Sequence, residues 1–210
     1  MTGILFDLDG TLIESLSDLV TAVNKTMVHY GYPEKTREEV RMAVGSGAWR
    51  LIADLLPEEN DQRVAQILAT YKEYYAGCCQ EQTRPYDGIV EALQQLQKKY
   101  PVAVVSNKPD PAVKHLCKEY FGDVFALGEA PDCPRKPAPD MLYKAMKEIG
   151  ADACIYVGDS DVDVLTAKNA GMPCLSVLWG YRDRACIEAA GGTHFCDDTA
   201  KLVEMLEQMI

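Results

Sequence analysis

The chain has 210 residues, which is enough to bury a substantial core in one domain or two. Its formal net charge of -11 argues against a protein that holds nucleic acid, because such a protein needs a basic face. No stretch approaches the roughly 20 apolar residues of a membrane span, and no secretory signal is visible. We therefore expect a cytoplasmic protein that binds neither nucleic acid nor a membrane.

The first predicted elements are a short strand and a long helical segment. The apolar run Ile4–Phe6 is typical of a strand, and it leads into the motif "DLDGT" at residues 7–11. Residues 14–83 contain no strand-like run. An amphipathic helix is predicted at 16–30, and "GYP" breaks it. Two or three further helices follow, the last around residues 62–82. This pattern predicts an all-helical insert over residues 14–83.

From residue 84 onward, helical patterns alternate with short apolar, often β-branched runs. Such alternation predicts a parallel sheet with helices on both faces. The expected architecture is thus a Rossmann-like α/β core, formed by residues 1–13 and 84–210, with an inserted helical cap domain. The predicted strands are 102–106, 123–127, 154–159, 173–180 and 193–196, and the predicted helices are 87–100, 111–120, 139–149, 162–169, 185–190 and 200–209.

Three polar motifs, "DLDGT", "SNK" (106–108) and "GDSDVD" (158–163), each follow a predicted strand. In an open parallel sheet, ligands bind at the carboxyl ends of the strands, so these motifs are expected to meet. Their carboxylates are Asp7, Asp9, Asp159 and Asp163. Clustered carboxylates repel each other unless a cation joins them, and Mg²⁺ is the natural hard cation for oxygen ligands. For residues 158–163, capping of a helix N-terminus is an equally good interpretation.

Hydrogen-bond donors accompany these acids. Ser106 and Asn107 offer a hydroxyl and an amide, and Gly10 lets the backbone approach a ligand closely. Lys136 lies in "RKPAPD", where two prolines stiffen the chain, although a lysine in such a place is more often a surface residue. Acids for a cation together with donors for an anion indicate phosphoryl transfer.

The four motifs "DLDGT", "SNK", "RKP" and "GDSDVD", in this order, resemble those of the haloacid dehalogenase superfamily of phosphatases. The helical insert after the first motif resembles the C1-type cap of the subfamily that contains phosphoglycolate phosphatases. The stretches "GSG" (45–47), "PYDGI" (85–89) and "VVSNKP" (104–109) are similar to phosphoglycolate phosphatase sequences as well. Haloacid dehalogenases themselves lack the second aspartate of the first motif, so Asp9 favours a phosphatase.

This resemblance implies a role for each motif residue. Asp7 is expected to be the nucleophile that forms an aspartyl-phosphate, and Asp9 the general acid and base. The expected Mg²⁺ ligands are Asp7, Asp159 and the backbone carbonyl of Asp9. Asp163 is expected to support this site without binding the ion directly. The phosphate-binding residues that the resemblance implies are Gly10, Ser106, Asn107 and Lys136.

Within the insert, "GSGAWR" is the candidate for substrate contact through Ser46, Gly47 and Arg50. The glycines allow a close approach to an anion, and Arg50 offers a fork for a carboxylate. The alternative is a plain helix junction in which Gly45 ends one helix and Ser46 caps the next. The insert is expected to close as a lid, hinged near residues 13–15 and 83–88.

The expected activity is Mg²⁺-dependent hydrolysis of a small phosphorylated metabolite, with 2-phosphoglycolate as the first choice. The alternatives are a pyrophosphatase or sugar phosphatase of the same superfamily, a phosphohexose mutase, and a catalytically silent regulatory protein on the same fold. Either a monomer or a homodimer is compatible with the sequence.

Overall fold

The computed structural model describes residues 1–57 and 59–210. Glu58, which falls inside the predicted insert, lies outside the described residues. The strands, in chain order, are β1 (Thr2–Phe6), β2 (Ile13–Glu14), β3 (Arg84–Pro85), β4 (Val102–Pro109), β5 (Phe125–Glu129), β6 (Ala153–Gly158), β7 (Cys174–Val177) and β8 (His194–Cys196). The helices are α1 (Leu16–His29), α2 (Arg37–Ala43), α3 (Ala48–Leu55), α4 (Asp61–Ala76), α5 (Ile89–Gln97), α6 (Asp110–Phe121), α7 (Asp140–Glu148), α8 (Asp161–Ala170), α9 (Arg184–Ala189) and α10 (Leu202–Met209).

Six strands form one parallel sheet in the order β5-β4-β1-β6-β7-β8. Both faces of the sheet are covered. Ile4 and Phe6 of β1 pack in one apolar cluster with α5, α6 and α10, whereas Leu5 packs in a second cluster with α7 and α8. Successive side chains of a strand point to opposite faces, so a strand buried on both sides must be apolar throughout. The predicted α/β Rossmann-like architecture is therefore confirmed.

The chain order reverses at β1, which places the polar motifs together. β1 has β4 on one side and β6 on the other, so a crevice opens where these three strands end. The motifs at residues 7–11, 106–108 and 158–163 lie at those three ends. No described helix is long and apolar enough to cross a membrane.

Helices α1 to α4 form a separate apolar cluster, built mainly from their own side chains. Thr36 begins α2 with a reciprocal capping box to Glu39, and Asn60 caps α4. The prediction that α4 reaches residue 82 is wrong, because the helix ends at Ala76. The buried Asp18 carboxylate accepts hydrogen bonds from the backbone N–H groups of Gln82 and Thr83, which fixes the chain there in a non-helical path.

A two-stranded antiparallel ribbon carries the chain into and out of the helical segment. Ile13 pairs with Pro85, and Glu14 pairs with Arg84. The prediction of no strand within residues 14–83 is therefore wrong at Glu14. Two residues give no strand signal by themselves, because their pairing depends on a partner seventy residues away in the chain. The ribbon lies at the predicted ends of the insert, whose motion as a separate domain stays a prediction.

Candidate active site

The site lies at the carboxyl ends of β1, β4 and β6. Asp7 follows β1 and Asp159 follows β6. The "SNK" residues do not follow β4 as predicted, because β4 continues through them to Pro109. An irregularity in the pairing with β5 falls between Val105 and Pro109. The polar residues of this motif are therefore held by the end of a strand instead of by a loop.

Lys136 is the centre of a buried ionic cluster. Its ammonium lies 2.8 Å from Asp7 Oδ1, 2.8 Å from Asp163 Oδ1 and 2.8 Å from the Tyr156 hydroxyl. The side chain is 2% exposed, so the alternative of a surface lysine is wrong. Desolvation works against its charge, but the two carboxylates outweigh it and raise the pKa of Lys136. Lys136 is thus a fixed cation beside the predicted nucleophile.

Three carboxylates have the geometry of a cation site. Oxygens of Asp7, Asp159 and Asp163 all lie within 4.8 Å of one another. Burial raises the pKa of Asp7 to about 7, against the opposing charge of Lys136 and with a further contribution from Asp163. Burial, followed by the charges of Asp163 and Asp7, raises the pKa of Asp159 well above its usual value. One lysine does not compensate three buried carboxylates, so the donor set fits a divalent, oxygen-preferring ion such as Mg²⁺.

Asp159 is held tightly from two sides. Its Oδ2 accepts a hydrogen bond of 2.6 Å from the Tyr181 N–H, and its Oδ1 accepts one of 3.3 Å from the Thr11 hydroxyl. A Cβ atom on Gly10 would lie 2.3 Å from Asp159 Oδ2, and one on Gly180 would lie 2.3 Å from Asp159 Cβ. Gly10 also has φ +86°, which favours glycine. In this structure the close neighbour that requires Gly10 is therefore a carboxylate.

Asp163 combines both interpretations of the last motif. Ser160 begins α8, and Ser160 and Asp163 form a reciprocal capping box. The same carboxylate accepts hydrogen bonds from Lys136 and from the Tyr156 hydroxyl, the latter at 2.9 Å. Helix capping and support of the ionic cluster are thus one arrangement. The role of Asp163 in supporting a bound ion stays a prediction.

Asn107 has a different environment from the one expected. Its side-chain amide donates to the carbonyls of Gly45 and Lys136, at 3.0 Å each, and accepts from the Lys136 N–H at 2.8 Å. The amide is therefore occupied in holding the backbone of Lys136 and in joining it to the helical segment. Ser106 is buried and accepts one weak hydrogen bond from the Lys108 N–H, which leaves its O–H donor for a ligand.

Asp9 is not one of the three clustered carboxylates and has its own partners. Its Oδ1 lies 2.7 Å from the Lys108 ammonium and also accepts a hydrogen bond from the Ser15 hydroxyl. Lys108 was not predicted as a site residue, although it is the third letter of "SNK". Its position near the end of β4, next to two predicted ligands, was the signal available.

A cavity of about 450 Å³ opens above these groups, between α1, α3 and α4 and the sheet edge. Its floor is polar and its upper wall is largely apolar. The floor contains Asp7, Asp159 and Lys136, and the wall contains Leu19, Leu51 and Tyr71. A pocket with apolar walls and a few convergent polar groups is typical of a small-molecule site.

The predicted cap residues are only partly brought to this cavity. Gly47 lines it, but Ser46 and Arg50 do not appear among the described residues of its wall. Arg50 instead pairs with Asp54 at 2.8 Å, and its side chain is 55% exposed. The reason is helical geometry: Leu51 faces the cavity, and its neighbour Arg50 points about 100° away. The expected carboxylate fork of Arg50 is not supported. Gly47, not Ser46, is the N-cap of α3.

A loop after β7 contacts both the carboxylates and the helical segment. Tyr181 donates its N–H to Asp159, and its hydroxyl accepts from the Ser15 N–H at 2.9 Å. The next residue, Arg182, donates to the carbonyls of Arg41, Met42 and Val44 at 2.8, 2.9 and 2.6 Å. Neither residue was predicted, because their contacts with the helical segment join distant parts of the chain: Tyr181 and Ser15 are 166 residues apart, and the partners of Arg182 are 138 to 141 residues away.

Comparison with known proteins agrees with this geometry. The model of a family described as haloacid dehalogenase-like hydrolase matches residues 4–177. A phosphoglycolate phosphatase of Vibrio parahaemolyticus is 32% identical, over 97% of this chain and 95% of that protein. One from Pseudomonas fluorescens is 34% identical, over 95% and 78%. A solved structure from Lactobacillus delbrueckii subsp. bulgaricus, provisionally described as a phosphoglycolate phosphatase, is 35% identical, with a TM-score of 0.89 over 96% of both chains.

Proposed function

The chain belongs to the haloacid dehalogenase-like hydrolase family, and on that basis we propose that it is a Mg²⁺-dependent phosphomonoester hydrolase. The observation that carries the proposal is the cluster at the cavity floor. There Asp7 is held 2.8 Å from the Lys136 ammonium and shares a site with Asp159 and Asp163. A carboxylate nucleophile, a fixed cation for an anionic substrate and a metal site thus lie together, as phosphoryl transfer requires.

In the proposed first step, Asp7 attacks phosphorus and forms an aspartyl-phosphate. The contact of Asp7 with Lys136 is made through Oδ1, so we assign the attack to Oδ2. Lys136 and the Ser106 hydroxyl stabilise the charge on the phosphoryl oxygens. Asp9 donates a proton to the leaving oxygen. Bound Mg²⁺ would be held by Asp7 and Asp159, with Asp163 behind them, and would offset the charge repulsion between the phosphate and these carboxylates.

In the proposed second step, water releases phosphate from Asp7. Asp9, having given up its proton, takes one from this water. The intermediate has to meet one positioned water and exclude others. Helices α1, α3 and α4 cover the cavity and provide that exclusion in a closed state. The supporting observation is that Ser15, at the start of the helical segment, bonds directly to Asp9.

For the substrate we propose 2-phosphoglycolate, on the strength of the names of relatives that match nearly the whole chain. The test is phosphate release from 2-phosphoglycolate and from an aryl phosphate, with Mg²⁺ and then with a chelator. We expect turnover of both esters that the chelator abolishes. Turnover of the aryl phosphate alone would overturn the substrate assignment, and no metal-dependent turnover of either ester would overturn the hydrolase itself.

A further inference from the structure

Lys108 is a buried ammonium that faces the cavity and belongs to neither the phosphate site nor the carboxylate cluster. Its side chain is 4% exposed. Its nitrogen lies 2.7 Å from Asp9 Oδ1 and 4.7 Å from the centroid of the Tyr75 ring. An ammonium has three donors, and within the described part of the chain only Asp9 accepts from it. Two N–H groups therefore remain for a ligand.

The other cations near the cavity differ from Lys108 in their partners or in their exposure. Lys136 belongs to the proposed phosphate site and contacts two carboxylates and a hydroxyl, and the Arg182 guanidinium donates to backbone carbonyls. Lys72 lines the cavity but is exposed at its rim. Arg50 pairs with Asp54 outside it. Among these side chains, Lys108 is the one whose charge is buried next to the predicted acid and whose ammonium still has N–H groups available for a ligand.

We propose that Lys108 binds a carboxylate on the leaving group and so selects phosphate esters of α-hydroxy acids. The inference rests on the proposed function, because that function places the ester oxygen against Asp9. In such an ester the carboxyl carbon is only two bonds from the ester oxygen. An ammonium that already contacts Asp9 is therefore within reach of that carboxylate.

The surroundings strengthen such an ion pair and widen the substrate class. Leu19, Leu51 and Tyr71 line the same cavity as Lys108 and make its wall largely apolar, and charges attract more strongly in a medium of low dielectric. A cavity of about 450 Å³ is larger than a glycolate leaving group needs. Esters of α-hydroxy acids with a small alkyl substituent, such as 2-phospholactate, should therefore be accepted as well.

The test compares two esters that differ only in the carboxylate, 2-phosphoglycolate and ethyl phosphate. For each protein, kcat/KM is measured with both, and the ratio of the two values is the readout. A ratio taken on one preparation is independent of the fraction that is folded. The variants are Lys108→Met, which keeps the apolar stem, and Lys108→Arg, which restores a cation. Lys114→Met is the matched control, because it removes an exposed lysine from α6, which follows the same strand.

We expect Lys108→Met to lower the ratio by about 10- to 100-fold, because a hydrogen bond to a charged group usually contributes a factor of this size. Lys108→Arg should recover most of the loss, and Lys114→Met should leave the ratio within about threefold. A ratio unchanged in Lys108→Met, or lowered as much in Lys114→Met, would overturn the inference while leaving the hydrolase intact. If the unmodified protein hydrolyses an aryl phosphate but neither of these two esters, the substrate assignment and this inference fail together, whereas no metal-dependent turnover of any of the three esters would overturn the hydrolase itself.

Discussion

Asp7 and Asp9 stand two residues apart, yet each contacts a different lysine. Asp7 lies against Lys136 within the three-carboxylate cluster, whereas Asp9 lies against Lys108 and Ser15. Two like residues in unlike environments can take unlike roles. The proposed roles require bound Mg²⁺ to keep Asp7 ionised, because burial raises the pKa of Asp7 to about 7 in the metal-free protein. This separation gives the proposed division between nucleophile and acid a structural basis.

The role of Asp9 is tested by Asp9→Asn with esters of different leaving groups. An aryl phosphate leaves with little help from a proton, so its first step should survive better than that of an alkyl phosphate. Rapid mixing with the aryl ester should therefore show a burst of released phenol followed by slow turnover, because the same residue activates water. Equal loss of the first step for both esters would count against Asp9 as the acid.

Arg50 is a residue for which the structure changes the prediction. Because it pairs with Asp54 on the surface of the helical segment, Arg50→Ala should leave KM for 2-phosphoglycolate within about twofold. An exposed pair of this kind contributes little to stability, about 0.3–0.5 kcal/mol. Steady-state kinetics on the variant check this expectation. A large rise in KM for the acidic ester alone would return Arg50 to the binding site.

At the scale of elements, the loop after β7 connects the carboxylate cluster on the cavity floor to the helical segment formed by α1 to α4. The guanidinium of Arg182 donates to three carbonyls where α2 ends, which also suits the negative end of a helix dipole. The Arg41 side chain returns a hydrogen bond to the Tyr181 carbonyl. Since the Tyr181 N–H also donates to Asp159, opening of the helical segment should change the geometry of the three-carboxylate cluster.

We therefore expect Arg182→Met to weaken the attachment of the helical segment to the loop after β7. Hydrogen bonds from a charged group contribute about 1.5–3 kcal/mol, so amide exchange in α2 should become about 10- to 100-fold faster. Hydrogen exchange read by mass spectrometry measures this. Arg184→Met is the control, because Arg184 is exposed and its contacts, the Glu188 carboxylate and the Phe195 ring, do not belong to α2. Exchange in α2 that is the same in both variants would show that Arg182 does not hold the helical segment in place.

At the scale of the whole molecule, alternation of helices and strands was enough to predict the sheet and the helices on both faces. The floor of the site was predictable as well, since its acids follow strands whose ends must converge. Contacts between distant segments were not. Lys108, Tyr181 and Arg182 act through partners across the crevice, and the ribbon at Glu14 exists only through its pairing with Arg84. The local sequence pattern around a residue carries no information about a partner that is distant in the chain.

Stability should depend on pH through the carboxylate cluster. In the metal-free protein the pKa of Asp7 is raised from its ordinary 3.8 to about 7. The folded state therefore retains a proton that the unfolded chain has lost, and this contribution to stability disappears as pH rises through about 7. Asp7→Asn has no carboxyl group that titrates at this position, so it does not lose this stability as pH rises. In chelator, its melting temperature relative to the unmodified protein should rise between about pH 4 and pH 7.

Added Mg²⁺ should reverse this difference at pH 7, because the ion stabilises the unmodified protein more than Asp7→Asn. The same thermal melts, repeated with Mg²⁺ in place of chelator, provide the measurement. A melting-temperature difference that is independent of both pH and Mg²⁺ would mean that Asp7 does not belong to a cation site.

The most direct test of phosphoryl transfer through Asp7 is to locate the phosphoryl group on the protein. Asp9→Asn, which should accumulate the intermediate, is mixed with Mg²⁺ and an aryl phosphate, quenched in acid and analysed by peptide mass spectrometry. We predict one phosphoryl group on Asp7, and neither label nor turnover in Asp7→Asn. A phosphoryl group on another residue, or sustained Mg²⁺-dependent turnover by Asp7→Asn, would contradict the assignment.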